Sequence, residues 1–165
     1  MLFYKGSKEM GYMQPRILAS YDIVVTTYET LAAETNYVDL PHSNSSEGRR
    51  FRNPKRYMAM PSPIVCIEWW RICLDEAQMI ESTTTKTAEM AMKLSAVNRW
   101  CVTGTPVGKS VNDLHGLLVF LQIDPYWAER WWKLCIFEPF CHGTTDPLLQ
   151  LLCCVLWRTC KRDVL

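Results

Sequence analysis

Residues 69–78 read WWRICLDEAQ, in which an apolar run, Ile72 to Leu74, ends directly in two adjacent carboxylates, Asp75 and Glu76. A short buried strand with paired carboxylates at its tip is one way to hold Mg²⁺ and a water beside a phosphate chain. The first carboxylate can bind the cation, and the second can orient or deprotonate the attacking water. The same residues also fit an ordinary solvated turn, so the pair alone leaves both interpretations open.

On either side of this segment, apolar β-branched runs alternate with segments of helical periodicity. Strands are predicted at 22–28, 64–67, 71–74 and 100–103, and helices near 29–33, 86–97, 112–120, 131–137 and 147–157. This alternation predicts an α/β fold with a parallel sheet flanked by helices. Ligands bind such sheets at the carboxyl ends of the strands, where both Asp75-Glu76 and Thr103-Gly104-Thr105 are expected to lie. The two groups could therefore form one site.

Composition excludes some classes of protein. The chain is 48% hydrophobic over 165 residues, enough for a core, and its net charge of +1 gives no general attraction to nucleic acid. No apolar run approaches the roughly 20 residues of a membrane span, so no membrane partner is expected.

The eight cysteines include no Cys-x-x-Cys pair, which favours a reduced intracellular protein rather than a zinc or disulfide framework. Cys73 and Cys101, in apolar strands, are expected to be buried.

Residues 36–63 differ from the rest of the chain, being polar and rich in turn-forming residues, with Arg49, Arg50 and Arg52 followed by further basic residues among prolines. We predict an exposed loop or an insertion within the domain. Two interpretations stay open: the arginines add a weak, salt-sensitive affinity for DNA, or the loop is solvated and has no partner.

Residues 104–110, GTPVGKS, come close to a phosphate-binding loop. That loop requires four residues between the first glycine and the Gly-Lys-Ser/Thr triplet, and only three are present. In addition, Pro106 removes one backbone N–H donor. A compact nucleotide-binding site built on this loop and Lys109 is therefore a minor alternative.

Several segments, taken in order, resemble motifs of the SNF2 family of DNA-translocating motors. They are YDIVVTTYE at 21–29, WWRICLDEAQ at 69–78, NRWCVTGTPV at 98–107, DLHGLLVFL at 113–121 and LWRT at 156–159. The tryptophans most resemble a branch of the family in which the motor is joined to the PHD and RING modules of an E3 ubiquitin ligase.

The resemblance implies a RecA-like lobe, with residues 1–165 forming part of the first ATPase lobe, and it implies ATP and Mg²⁺ as ligands. Asp75 would hold Mg²⁺, Glu76 would activate the water, and Gln78 would stand where histidine is common. Residues 103–105 would couple nucleotide state to DNA.

The resemblance also implies partners and a location. Thr26, Thr27 and Tyr28 would lie near double-stranded DNA, as free DNA or nucleosomes. A second ATPase lobe would be a further partner, and the location would be nuclear.

The sequence departs from the family pattern in three places. The phosphate-binding strand and loop would lie upstream of residue 1, the second lobe with its arginine finger would follow residue 165, and Gly108-Lys109 replaces a glutamine-led stretch. We therefore expect a fragment that, by itself, does not hydrolyse ATP. The alternative is a non-enzymatic segment that binds DNA or a protein partner.

Overall fold

The structure is a computed structural model, and it describes residues 1–37 and 61–159. The chain divides into two compact units, Met1–Pro106 and Val107–Leu165. Residues 38–60, which make up most of the predicted loop at 36–63, lie outside the described residues. In the part of the chain that is described, no helix has the length and apolar character needed to cross a bilayer.

In the described part of the first unit, the strands form two parallel pairs. β1 (Leu2–Phe3) pairs with β2 (Val24–Val25), and β3 (Glu68–Leu74) pairs with β4 (Ser95–Cys101). In the longer pair Leu74 stands opposite Cys101, so both strands end at the same edge. The parallel strands with helices around them confirm the α/β prediction.

Within residues 1–37 and 61–106 the helices of the first unit are α1 (Ser7–Met10), α2 (Pro15–Leu18), α3 (Tyr28–Glu34) and α4 (Lys86–Lys93). Threonine side chains cap the two longer ones. The hydroxyl oxygens of Thr27 and Thr85 accept from the amides of Thr30 and Ala88, each at 3.2 Å. Such caps satisfy backbone donors that have no partner inside the helix. Short 3₁₀ turns occupy Thr35–Tyr37, Pro63–Cys66 and Ala77–Ile80.

The second unit is helical. Its elements are α5 (Asp113–Leu121), α6 (Glu129–Trp132), a π-helical turn (Lys133–Phe137), α7 (Glu138–Cys141) and α8 (Asp146–Val155). Trp132 is fully buried at the centre of its core, and its indole N–H donates to the Asn112 side chain at 2.9 Å. The core residues packed together here are Leu114, Leu118, Trp132, Ile136, Leu148 and Leu151. The predicted helices of this half of the chain are thus confirmed, with small shifts in their ends.

Several predicted elements were wrong in type or extent. The strand predicted at 100–103 runs instead from Ser95 to Cys101. The strand predicted at 64–67 is a 3₁₀ turn that begins at Pro63, a residue whose fixed φ suits the first turn of a helix. The helix predicted over 86–97 ends at Lys93, because 95–101 pairs with β3 instead. The strand predicted at 22–28 is only Val24–Val25, since Thr27 already caps α3.

One expectation about burial was also wrong. Cys73 is exposed, and Val25 in the shorter strand pair is likewise 39% exposed. The reason is the same in both cases: among the described residues each sheet has two strands, so its faces are incompletely covered. Cys101 is partly buried, and this burial raises the pKa of its thiol to about 12.

A buried carboxylate, Glu34 at the end of α3, organises the polar groups of the first unit. It is 1% exposed and accepts hydrogen bonds from the amide of Ser7 at 2.7 Å and from the hydroxyl of Ser62. Tyr4, 2% exposed, reaches the Ser7 hydroxyl at 3.1 Å. Gly6 lies against this group with φ +90, and a Cβ there would stand 3.2 Å from the Glu34 carboxylate. The carboxylate therefore ties α1, α3 and the turn before β3 together.

We predict that Glu34→Ala lowers the free energy of unfolding by about 2–4 kcal/mol. The substitution leaves the Ser7 amide and the Ser62 hydroxyl without their acceptor, at roughly 1–3 kcal/mol for each buried donor. Urea unfolding followed by tryptophan fluorescence measures the change. Glu29→Ala, on an exposed position of the same helix, is the matched control. Equal effects of the two substitutions would contradict the role given to Glu34.

Candidate functional site

The carboxylate pair forms a tight turn at the end of β3. Leu74 closes the strand and is buried, whereas Asp75 and Glu76 are exposed. Glu76 has φ 50 and ψ 49, the left-handed helical conformation, which costs a non-glycine residue roughly 1–2 kcal/mol. The Glu76 amide donates to Asp75 Oδ1 at 3.0 Å, which stabilises this turn. Strained backbone held in place by its surroundings is characteristic of functional sites.

The turn is fixed to the end of β4 by two backbone hydrogen bonds. The Val102 amide donates to the Leu74 carbonyl at 2.8 Å, and the Ala77 amide donates to the Val102 carbonyl at 3.0 Å. The parallel register thus brings the carboxylate pair and residues 103–105 to one edge of the sheet, as the sequence predicted. The two predicted groups belong to one site.

A chain of side-chain hydrogen bonds connects Glu76 to this second group. Gln78 Nε2 donates to Glu76 Oε2 at 2.8 Å, and Thr103 Oγ1 donates to Gln78 Oε1 at 2.6 Å. The Thr105 amide in turn donates to Thr103 Oγ1 at 3.1 Å. Gly104 has open space where a Cβ would stand, so packing does not demand a glycine there. Gln78 is therefore the bridge between the two motifs.

The three residues expected near DNA make internal hydrogen bonds. Thr26 Oγ1 donates to the Tyr4 carbonyl at 2.9 Å, Thr27 caps α3, and the Tyr28 hydroxyl donates to the Asp75 carbonyl at 2.7 Å. Sequence reasoning missed the last contact, which joins residues 47 positions apart and has no local signal. The Thr-Thr-Tyr segment is consequently adjacent to the carboxylate turn.

The carboxylate of Asp75 suits a magnesium ion. One of its oxygens accepts from the Glu76 amide, and the side chain is exposed, so the other oxygen remains for a cation. Within residues 1–37 and 61–159, no cluster of three or more His, Cys, Asp or Glu side chains forms a complete metal site. Mg²⁺ commonly takes only one or two carboxylates and completes its shell with water and substrate phosphates, so Asp75 alone is compatible with it.

The amides of the near-match loop are already occupied. Asp113 Oδ2 accepts from the amides of Gly108 at 3.1 Å, Lys109 at 2.6 Å and Ser110 at 3.0 Å. These contacts hold the pKa of the Asp113 carboxyl below its usual range, and the hydrogen bond from the Lys109 amide contributes most. In a phosphate-binding loop such amides surround a phosphate, whereas here they surround a carboxylate of the same chain. The carboxylate anchors the loop to the start of α5 and takes the place of an anion.

The fold and the site together correspond to the motor family suggested by the sequence. The whole chain, residues 1–165, matches the family model described as the SNF2-related domain, and the chain belongs to this family.

Among its relatives, human E3 ubiquitin-protein ligase SHPRH is 54% identical over 165 residues, which are 100% of this chain and 10% of that protein. Arabidopsis thaliana DNA repair protein RAD5A is 34% identical over 128 residues, 78% of this chain and 11% of that protein. The chain therefore spans about a tenth of the length of these curated relatives.

A solved structure supports the fold. The Sulfolobus solfataricus SWI2/SNF2 ATPase core in complex with dsDNA superposes with a TM-score of 0.60 and 23% identity, over 93% of this chain and 26% of that chain. At this identity the likeness establishes the architecture, a RecA-like α/β fold, and the predicted fold class is confirmed.

We predict that Lys109→Ala leaves the affinity for ATP unchanged within about twofold. The backbone donors beside Lys109 already bind Asp113, so this loop offers an incoming phosphate no free cradle. Binding of a fluorescent ATP analogue to the full natural protein, titrated with and without the substitution, measures the affinity. Loss of tight binding on Lys109→Ala would instead support a compact nucleotide site at 104–110.

Proposed function

We propose that the chain supplies the water-activating and coupling motifs of an ATP-driven motor that moves on double-stranded DNA. Membership of the SNF2 family and the dsDNA complex of its structural neighbour support this proposal. The parent protein would act in the nucleus, on DNA or nucleosomes, and the extensive identity to SHPRH supports a linked E3 ubiquitin ligase activity.

The observation that carries the proposal is the hydrogen-bonded path from Glu76 through Gln78 to Thr103. The Gln78 amide donates to Glu76 Oε2, and this contact fixes the direction of the other carboxylate oxygen. An exposed and oriented carboxylate can act as the general base that accepts a proton from a water molecule. Glu76 would activate the water that attacks the γ-phosphate of ATP.

Asp75 would hold Mg²⁺ beside this base, and a bound Mg²⁺ neutralises charge on the phosphates during transfer. Asp75 and Glu76 thus have separate tasks, although they are adjacent in sequence. The left-handed conformation of Glu76 supports this division, because it turns the chain sharply between the two residues. Gln78 would contribute to the nucleotide site through Glu76.

Residues 103–105 would pass the state of the nucleotide to the DNA-binding surface. Thr103 is poised for this role because its hydroxyl donates to Gln78 and accepts from the Thr105 amide at the same time. A change in the position of Gln78 therefore alters both bonds. Thr26 and Thr27 would approach the phosphates of the tracked strand through backbone and hydroxyl groups, a mode of contact that positions DNA without reading its bases. The second ATPase lobe would supply the arginine finger.

We predict that Glu76→Gln in the full natural protein lowers kcat for ATP hydrolysis at least about a hundredfold and leaves ATP binding within about threefold. The amide has the shape of the carboxylate but cannot accept the proton, and a general base typically contributes about 10²–10⁴ in rate. Phosphate release in the presence of duplex DNA and a nucleotide-binding titration separate the two effects.

Glu89→Gln is the control for this experiment, because Glu89 is an exposed carboxylate of α4 and is not one of the proposed site residues. Hydrolysis by the Glu76→Gln protein at the rate of the unsubstituted protein would show that another group activates the water.

A second candidate function is a non-enzymatic interaction surface on the helical unit. Trp131, Leu149 and Trp157 are 53%, 54% and 94% exposed, an unusual exposure for such large apolar side chains. If this surface were the main function, ATPase activity would be absent both with and without duplex DNA, whereas binding to a protein or DNA partner would persist.

A further inference from the structure

We propose that Tyr28 is a positioning residue that holds the peptide between Asp75 and Glu76 in its strained orientation. Its hydroxyl donates to the Asp75 carbonyl at 2.7 Å across 47 residues of sequence. The inference rests on the proposed function, since it concerns how the water-activating carboxylate is aimed.

This peptide is held from both sides. Its carbonyl oxygen accepts from Tyr28, and its N–H, which belongs to Glu76, donates to Asp75 Oδ1 at 3.0 Å. A peptide unit is planar, so two fixed ends fix its rotation and with it the φ of Glu76. The left-handed conformation costs roughly 1–2 kcal/mol and persists only where the surroundings impose it. The Asp75 anchor is part of the turn itself, whereas the Tyr28 hydroxyl comes from another element, α3.

The hydroxyl is a donor under all ordinary conditions. Burial raises the pKa of Tyr28 to about 12, and the nearby Cys101 and Asp75 contribute less to the same increase. The phenol therefore keeps its proton at neutral pH and can donate to the Asp75 carbonyl.

Tyr28 also connects the turn to the segment expected to lie near DNA. It is the first residue of α3, directly after the cap residue Thr27, and Thr26 is bonded to the Tyr4 carbonyl. A displacement of this segment would move the phenol and lengthen its bond to Asp75. We infer that DNA contact at 26–27 is transmitted to the carboxylate turn through the Tyr28 hydroxyl.

Tyr28→Phe removes the hydroxyl alone and keeps the ring, so it tests the inference in the full natural protein. Tyr12→Phe, at a tyrosine that is 41% exposed between α1 and α2, is the matched control. We expect Tyr28→Phe to lower the DNA-stimulated kcat about three- to tenfold, the range for loss of one hydrogen bond. KM for ATP and Kd for duplex DNA should stay within about twofold. The control should change neither.

Amide hydrogen exchange supplies a readout that does not depend on activity. Without nucleotide, Tyr28→Phe should accelerate exchange in a peptide covering 75–77 and leave a peptide from α4 unchanged. Unaltered exchange at 75–77 would overturn the positioning role, as would an unaltered kcat in an active enzyme. A fall in DNA affinity parallel to kcat would overturn it in favour of direct DNA contact by the hydroxyl. If the unsubstituted protein hydrolyses no ATP, the proposed function fails, while exchange still decides whether Tyr28 holds the turn.

Discussion

The parallel pairing of β3 with β4 is the constraint on which the candidate site depends. Because Leu74 stands opposite Cys101, the residues that follow each strand emerge side by side, and Ala77 can bond to Val102. A slip of one residue would turn the side chains of one strand to the opposite face. Gln78 and Thr103 would then no longer meet. The hydrogen-bonded path between the two motifs is thus a consequence of strand register rather than of either motif alone.

In both the loop at 108–110 and the turn at 75–77, backbone amides donate to a carboxylate, but the number of amides bound differs. In the loop, three amides converge on one oxygen of the Asp113 carboxylate, Oδ2. In the turn, Asp75 accepts one amide and Glu76 accepts one side-chain donor, so both carboxylates keep free oxygens. Sequence similarity to a phosphate loop therefore coincides with a loop whose amides bind a carboxylate of the same chain, and the exposed carboxylates belong to the turn at 75–77.

Much of this arrangement could be predicted from local patterns. The strand ending in Asp75-Glu76, the threonine cap of α4 and the meeting of two strand ends all follow from short-range signals that the structure reproduces. The segment 95–97 could not be assigned locally, because its apolar spacing suits a continuation of the helix and only pairing with β3 makes it a strand. The left-handed conformation of Glu76 and the reach of Tyr28 depend on contacts distant in sequence, which no single-segment pattern contains.

The amide of Gln78 has a consequence for how the site responds to its surroundings. An amide does not titrate, so it donates to Glu76 and accepts from Thr103 in the same sense in acidic and in neutral solution. A histidine in this place, with an ordinary pKa near about 6.5, would lose its acceptor nitrogen on protonation and would reverse its relation to the threonine hydroxyl. Gln78 therefore adds no titratable group of its own to the connection between the two motifs.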